Sequence, residues 1–247
     1  MRTEVVVLLA LVGFAVLTML VYVAGDRRRL VSQDTTGRGG SFFMGFWVRN
    51  WFYWFIGPLR AISIGLRLSP LFYNIAAVAC GVASGYFFWI GQLPAAGAMI
   101  LLSGLADVMD GEVARGRDIV SAEGAFLDST LDRFSEFFVF VGMVAFFQSK
   151  LAVIGVVVAL GGSLLVSYTR ARGESLGVLC KAGVMQRAER MILLALGAIL
   201  DPTLSAAFGR PTGIVLEVII YLIAVGTVGT AIYRTVWISR ALRQQAK

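Results

Sequence analysis

The chain has 247 residues, 58% of them hydrophobic and only 15% charged, and its mean hydropathy is +0.80; a soluble domain carries roughly 25% charged residues, so composition points to a bilayer protein. The net charge of +7 is dispersed among apolar runs instead of forming a basic stripe with interleaved aromatics, so no nucleic-acid partner is expected. With no histidine, mechanisms that need an imidazole base, nucleophile or zinc ligand are excluded, and Cys80 and Cys180 make neither a CxxC pair nor a disulfide framework.

The run from Val5 to Ala24 is apolar and ends at Asp26-Arg27-Arg28-Arg29. A secretory signal carries its positive charge ahead of the apolar core, so this segment reads as a transmembrane anchor with its N-terminus outside. Asp34 to Gly40 is polar and Gly-rich, a short linker that completes an N-terminal segment of residues 1–40. From Ser41 to Leu68, Trp47, Trp51, Tyr53 and Trp54 mix with Arg49, Arg60 and Arg67, which suits an amphipathic helix in the membrane interface over residues 41–69.

Six apolar spans follow, at about Leu71 to Ile90, Pro94 to Arg115, Ala122 to Phe147, Leu151 to Thr169, Gln186 to Leu200 and Gly213 to Trp237. Most reach the roughly 17–25 residues that cross a hydrocarbon core. The expected fold is an all-α integral membrane protein: a six-helix transmembrane core over residues 70–247, preceded by the interfacial helix and an extra N-terminal transmembrane helix. If the anchor runs outside to inside, alternation puts all 22 Lys and Arg residues except Arg2, Lys150 and Arg210 at or near the cytoplasmic face. The two polar clusters, residues 107–133 and 167–190, fall on that same face, which favours one shared site.

Asp107 and Asp110 are spaced i, i+3 at the end of one apolar helix, and Asp128 and Asp132 i, i+4 at the start of the next, so each pair occupies one helix face. The Gly116 to Ala122 connection folds the second helix antiparallel to the first and brings the pairs together. Four carboxylates cannot stay ionised at close range without a positive charge between them. A hard cation such as Mg²⁺, Mn²⁺ or Ca²⁺ answers this, because softer metals favour histidine or cysteine ligands. Gly111 and Gly124 let a ligand approach the backbone, and Arg115 stands within reach of a phosphate. Taken alone, the aspartates also fit an ion pathway, as in a cation transporter, although an arginine beside such a pathway opposes conduction.

Asp107 to Asp132 reads DVMDGEVARGRDIVSAEGAFLDSTLD, which fills all eight fixed positions of D-x2-D-G-x2-A-R-x8-G-x3-D-x3-D. In this the chain resembles the CDP-alcohol phosphatidyltransferases, a resemblance that extends over the six spans from Pro70, with Ser69-Pro70-Leu71-Phe72-Tyr73-Asn74 a loose match to the family's segment before the first core span. The resemblance implies a membrane enzyme that transfers a phosphatidyl group from a CDP-linked lipid to an alcohol and releases CMP. It implies that Asp107, Asp110, Asp128 and Asp132 bind one or two Mg²⁺ or Mn²⁺ ions, with Asp132 also the catalytic base. Asp107, Gly111, Ala114, Arg115 and Gly124 would form the CDP site, and a homodimer is implied.

Ser167-Tyr168-Thr169-Arg170-Ala171-Arg172 closes the fourth core span, and Lys181, Arg187 and Arg190 lead into the fifth. Such a set of cations suits an acceptor that carries phosphate, and is similar to the segment that holds inositol phosphate in the phosphatidylinositol-phosphate synthase branch. Arg170, Arg172, Lys181, Arg187 and Arg190 are therefore the expected acceptor-phosphate ligands. Glycerol 3-phosphate is the nearest competing acceptor, with serine behind it, and a positive-inside loop that binds lipid headgroups is the bland reading of the same cluster. Glu189 lies between cations and orients them; Glu136 and Glu217 have no role legible in the sequence.

Overall fold

The computed structural model describes residues 13, 16–24, 46–180 and 182–245. The chain divides into two compact units between Leu68 and Ser69. In the first, residues 16–24 of the expected anchor are helical, whereas the linker and the rest of the anchor, residue 13 excepted, lie outside the described residues. Helix α1, Phe46–Gly65, falls in the segment expected to be amphipathic. Phe55, Leu59, Ile62 and Leu66 are spaced as one helical stripe that runs past its end, and all four are exposed. Within this unit the rings of Tyr22 and Trp54 meet at 5.6 Å.

The second unit holds α2 Pro70–Trp89, α3 Leu93–Gly116, α4 Ala122–Phe146, α5 Lys150–Ser175, α6 Arg187–Ala207 and α7 Ile214–Gln245. Local chemistry sets their starts. Ser69 caps α2 ahead of Pro70, Ser121 accepts from the Gly124 N–H at 3.0 Å to open α4, and Glu189 reaches back to the Gln186 N–H at 2.9 Å to open α6. The expected spans fall on these six helices, but α5, α6 and α7 run on past Thr169, Leu200 and Trp237. The apolar run ends there while the backbone stays helical, and α6 carries Pro202 inside it. Asp201, fully buried, accepts from the Gly213 N–H at 2.6 Å and the Leu216 N–H at 2.9 Å, so the end of α6 caps the start of α7.

Neighbouring helices form a closed ring in the order α2, α3, α6, α7, α5, α4. Helices α2 and α4 approach closely where Gly85 and Gly142 bring their backbones together so tightly that a Cβ on either would overlap the other helix. The apolar core draws on every helix, through Phe88, Ile100, Phe140, Val156, Leu194 and Ile220 among others. It uses the first half of α3 and the second half of α4, which leaves their other halves, with the aspartates, to the opposite end of the bundle.

Five of these helices, α2, α3, α5, α6 and α7, are long and apolar enough to cross a membrane, with mean hydropathies of 1.4 to 2.2. Helix α4 falls outside that group because its apolar half carries Asp132, Arg133 and Glu136. The described residues contain no strand.

Candidate active site

The aspartate-bearing halves of α3 and α4 are held from behind by two buried serines. Ser103, one turn before Asp107, and Ser135, one turn after Asp132, have hydroxyls 2.9 Å apart, and both lie within bonding distance of the Ala77 carbonyl of α2, at 2.9 and 3.2 Å. Three helices are thereby tied at one level directly beneath the carboxylates.

Above them, Asp107, Asp128 and Asp132 offer carboxylate oxygens that all lie within 4.8 Å of one another. Asp110 is buried, accepts from the Gly111 N–H at 2.5 Å and lies in contact with Asp128. Arg187, at the first position of α6, reaches the same cluster: Nη1 is 3.0 Å from Asp107 Oδ2 and Nη2 is 2.8 Å from Asp132 Oδ1. Arg133 stands 3.9 Å from the other Asp132 oxygen and donates to the Ser129 carbonyl.

One arginine fork among four carboxylates leaves a local excess of negative charge. The spacing fits a hard divalent ion, since ligand oxygens about 2.1–2.4 Å from a central ion can lie up to about 4.8 Å apart. The donor set is oxygen only, as such an ion prefers.

Around the cluster, Arg115 pairs with Glu112 at 2.8 Å and lays its guanidinium over Gly111, where a Cβ would sit 3.0 Å from it. Ala114 is on the same helix and half-buried, and Gly124 is at the first turn of α4, where a Cβ would lie 3.2 Å from Ser121 Oγ. The five residues expected at a nucleotide site thus sit on the facing ends of α3 and α4.

The basic residues are placed unequally. Arg187 lies against the aspartates; Arg172 is exposed near the end of α5, as is Arg170, which pairs with Glu174 at 2.9 Å; Lys181 is outside the described residues. Arg190 departs from the expectation of a ligand-facing cation, for it is fully buried and bound to Glu136, Nε to Oε1 at 2.9 Å and Nη2 to Oε2 at 3.1 Å, while Nη1 donates to the Met185 carbonyl at 2.9 Å. Glu136, which had no assigned role, is its partner, and Glu189 caps the start of α6 through the Gln186 N–H. Arg234 of α7, also unassigned from the sequence, donates to the Ala182 and Val166 carbonyls at 2.9 Å each and fastens the loop ahead of α6. An arginine inside a long apolar run was the available signal for it.

Residues 67–229 match the family described as CDP-alcohol phosphatidyltransferase. An archaetidylinositol phosphate synthase of Methanothermobacter thermautotrophicus is 40% identical over 145 residues, 59% of this chain and 72% of that protein. A phosphatidylinositol phosphate synthase of Streptomyces avermitilis is 30% identical over 215 residues, 81% of this chain and 84% of the relative. Among solved structures, the Mycobacterium tuberculosis phosphatidylinositol phosphate synthase with CDP-DAG bound is similar with a TM-score of 0.65 and 30% identity, over 73% of this chain and 92% of that one. The same protein in complex with manganese and citrate gives a TM-score of 0.65 at 30% identity, over 73% and 87%. With five apolar helices of bilayer length and a family match over most of its length, the chain is an integral, multi-pass membrane protein that belongs to the CDP-alcohol phosphatidyltransferase family.

Proposed function

We propose that the protein transfers the phosphatidyl group of a CDP-diacylglycerol-type lipid to a hydroxyl of a small phosphorylated polyol, inositol 1-phosphate being the leading candidate, and releases CMP. The observation that carries this reading is the meeting of Arg187, from the basic segment, with Asp107 and Asp132 of the signature. A cation suited to the acceptor's phosphate lies beside the carboxylates suited to the donor's diphosphate. The names of the relatives support inositol phosphate over glycerol 3-phosphate or serine.

In this reading Asp107, Asp110, Asp128 and Asp132 hold one or two divalent ions, Mg²⁺ or Mn²⁺, which when bound neutralise the diphosphate and favour departure of CMP. Gly111, Ala114 and Gly124 leave room for the nucleotide, and Arg115 exchanges Glu112 for a phosphate oxygen. Arg170, Arg172, Lys181 and Arg187 draw in the acceptor phosphate through charge-assisted hydrogen bonds. The acceptor oxygen bonds to the lipid-side phosphorus as the bond from that phosphorus to the CMP oxygen breaks. The hydroxyl proton passes to Asp132, and the electron pair leaves with CMP.

All six helices of the second unit span the membrane in this reading, α4 turning its carboxylates into the ring, with an additional N-terminal span. Helix α1 rests its exposed apolar stripe in the interface, the carboxylate end of the bundle faces the cytoplasm, and the protein is a homodimer. The test is CMP release from purified protein with CDP-diacylglycerol and Mg²⁺ or Mn²⁺, with inositol 1-phosphate, inositol, glycerol 3-phosphate and serine offered separately. Release with inositol 1-phosphate alone, abolished by EDTA, is the expected result. Release with serine or unphosphorylated inositol would overturn the phosphate assignment.

A further inference from the structure

Helices α4 and α6 hardly meet through their backbones. Two arginine–carboxylate rungs span the space between them. Asp132 and Glu136 are one turn apart on α4, Arg187 and Arg190 one turn apart on α6, and they pair in register: Arg187 with Asp132 at 2.8 Å, Arg190 with Glu136 at 2.9 and 3.1 Å. The outer rung is accessible, with 21% of the Arg187 side chain and 14% of the Asp132 side chain exposed. The inner rung is sealed, with Arg190 at 0% and Glu136 at 2%.

We infer that Glu136 and Arg190 are positioning residues for the metal-binding carboxylates: their sealed ion pair fixes the height and rotation of α6 against α4, and so sets where Arg187 meets Asp107 and Asp132. The inference rests on the proposal that these aspartates hold a divalent ion.

Three observations support it. First, a fully buried Arg190 bound through both edges of Glu136 is closed to an acceptor phosphate. Second, stability alone is a weak reason for the pair, since apolar residues of similar volume often serve as well or better in a core. Third, among the described residues Arg187 Nε is buried without a hydrogen-bond partner, so the guanidinium is oriented by its two aspartate contacts and by its backbone. Arg190 holds that backbone from below, through Glu136 and through the Met185 carbonyl just ahead of the helix. Groups that orient metal ligands from behind typically change metal affinity by about 10–100-fold when removed.

The experiment is a Mn²⁺ titration by electron paramagnetic resonance, without substrate, on full-length protein in nanodiscs, with thermal unfolding in parallel. The variants are Glu136→Gln, the neutral pair E136L/R190M, and Arg190→Lys, which keeps charge and length if the neutral pair does not purify folded. The expected result is Mn²⁺ binding at least about tenfold weaker in each folded variant, with the neutral pair as heat-stable as wild type. Wild-type Mn²⁺ affinity in the neutral pair or in Arg190→Lys would make the pair merely structural and overturn the inference. Unchanged Mn²⁺ affinity in Arg190→Lys together with a raised KM for the phosphorylated acceptor, read in a parallel CMP-release assay, would return Arg190 to the acceptor site and overturn it too. Wild-type protein that binds no Mn²⁺, or Asp128→Asn that binds it as wild type does, would instead remove the metal reading, and the inference with it.

Discussion

Arg187 Nη2 lies 2.8 Å from Asp132 Oδ1, which places a fixed positive charge on the carboxylate proposed to accept the acceptor's proton. Its other terminal nitrogen takes Asp107 at 3.0 Å, so one planar fork joins α3 and α4 through α6. A lysine would bring the charge but not the fork. Arg187→Lys should lower kcat/KM for CMP release about 100-fold, close to 2.7 kcal/mol of transition-state stabilisation. Steady-state kinetics with both substrates varied would check this; a loss below threefold would mean that charge alone suffices.

Asp132→Asn removes the base but keeps the shape of the side chain and one oxygen for the ion. Turnover should fall by about 10²–10⁴-fold while CDP-lipid binding stays largely intact. Comparing CMP release with ligand-induced thermal shift separates the two effects. Near-normal turnover would take the proton-accepting role away from Asp132.

Chelation should abolish turnover, and re-addition should discriminate among metals. The donors at the cluster are carboxylate oxygens, so Mg²⁺ and Mn²⁺ should restore CMP release, and Zn²⁺, better served by nitrogen and sulfur, should restore little of it. Activity that survives exhaustive EDTA treatment would contradict the assignment of these aspartates.

The aspartate cluster was legible because its information is local: two helix-spaced pairs and a short connection are sufficient to bring Asp107, Asp128 and Asp132 together. Arg187 was legible as a cation at a helix start. Arg190 was not, because the i, i+3 spacing gives two arginines one face without saying that Glu136, 54 residues earlier, stands opposite only the second of them. Helix ends could not be read from the apolar spans for a related reason. Hydropathy marks where the apolar stretch stops, at Thr169 or Trp237, whereas hydrogen bonding continues the helix to Ser175 or Gln245. The fifth span ends at Leu200, yet Asp201 caps the next helix and α6 continues to Ala207.

The Gly85–Gly142 contact gives a prediction about the scaffold. Because a Cβ at residue 142 would run into the Gly85 backbone, Gly142→Val must push α2 away from α4. Overpacking of this kind costs about 1–3 kcal/mol or more. The variant should lose thermal stability and, because Ala77 of α2 holds Ser103 and Ser135 beneath the aspartates, should also bind Mn²⁺ more weakly. Unchanged melting would show that the seam can open at little cost.

Asp201 supplies the converse case. Its carboxylate satisfies the Gly213 and Leu216 N–H groups and the Ser205 hydroxyl inside the protein, and Gly213 is held at φ +106°, a conformation that disfavours other residues. Asp201→Ala would leave two buried backbone donors unsatisfied, at about 1–3 kcal/mol each. The site lies 14 residues along α6 from Arg187, about 21 Å at 1.5 Å per residue. The variant should therefore melt well below wild type yet bind Mn²⁺ with wild-type affinity while folded. If Mn²⁺ affinity fell in step with melting temperature, weak binding would be a general consequence of a loosened bundle. The same loss in Glu136 and Arg190 variants could then no longer be credited to their position beneath the aspartates.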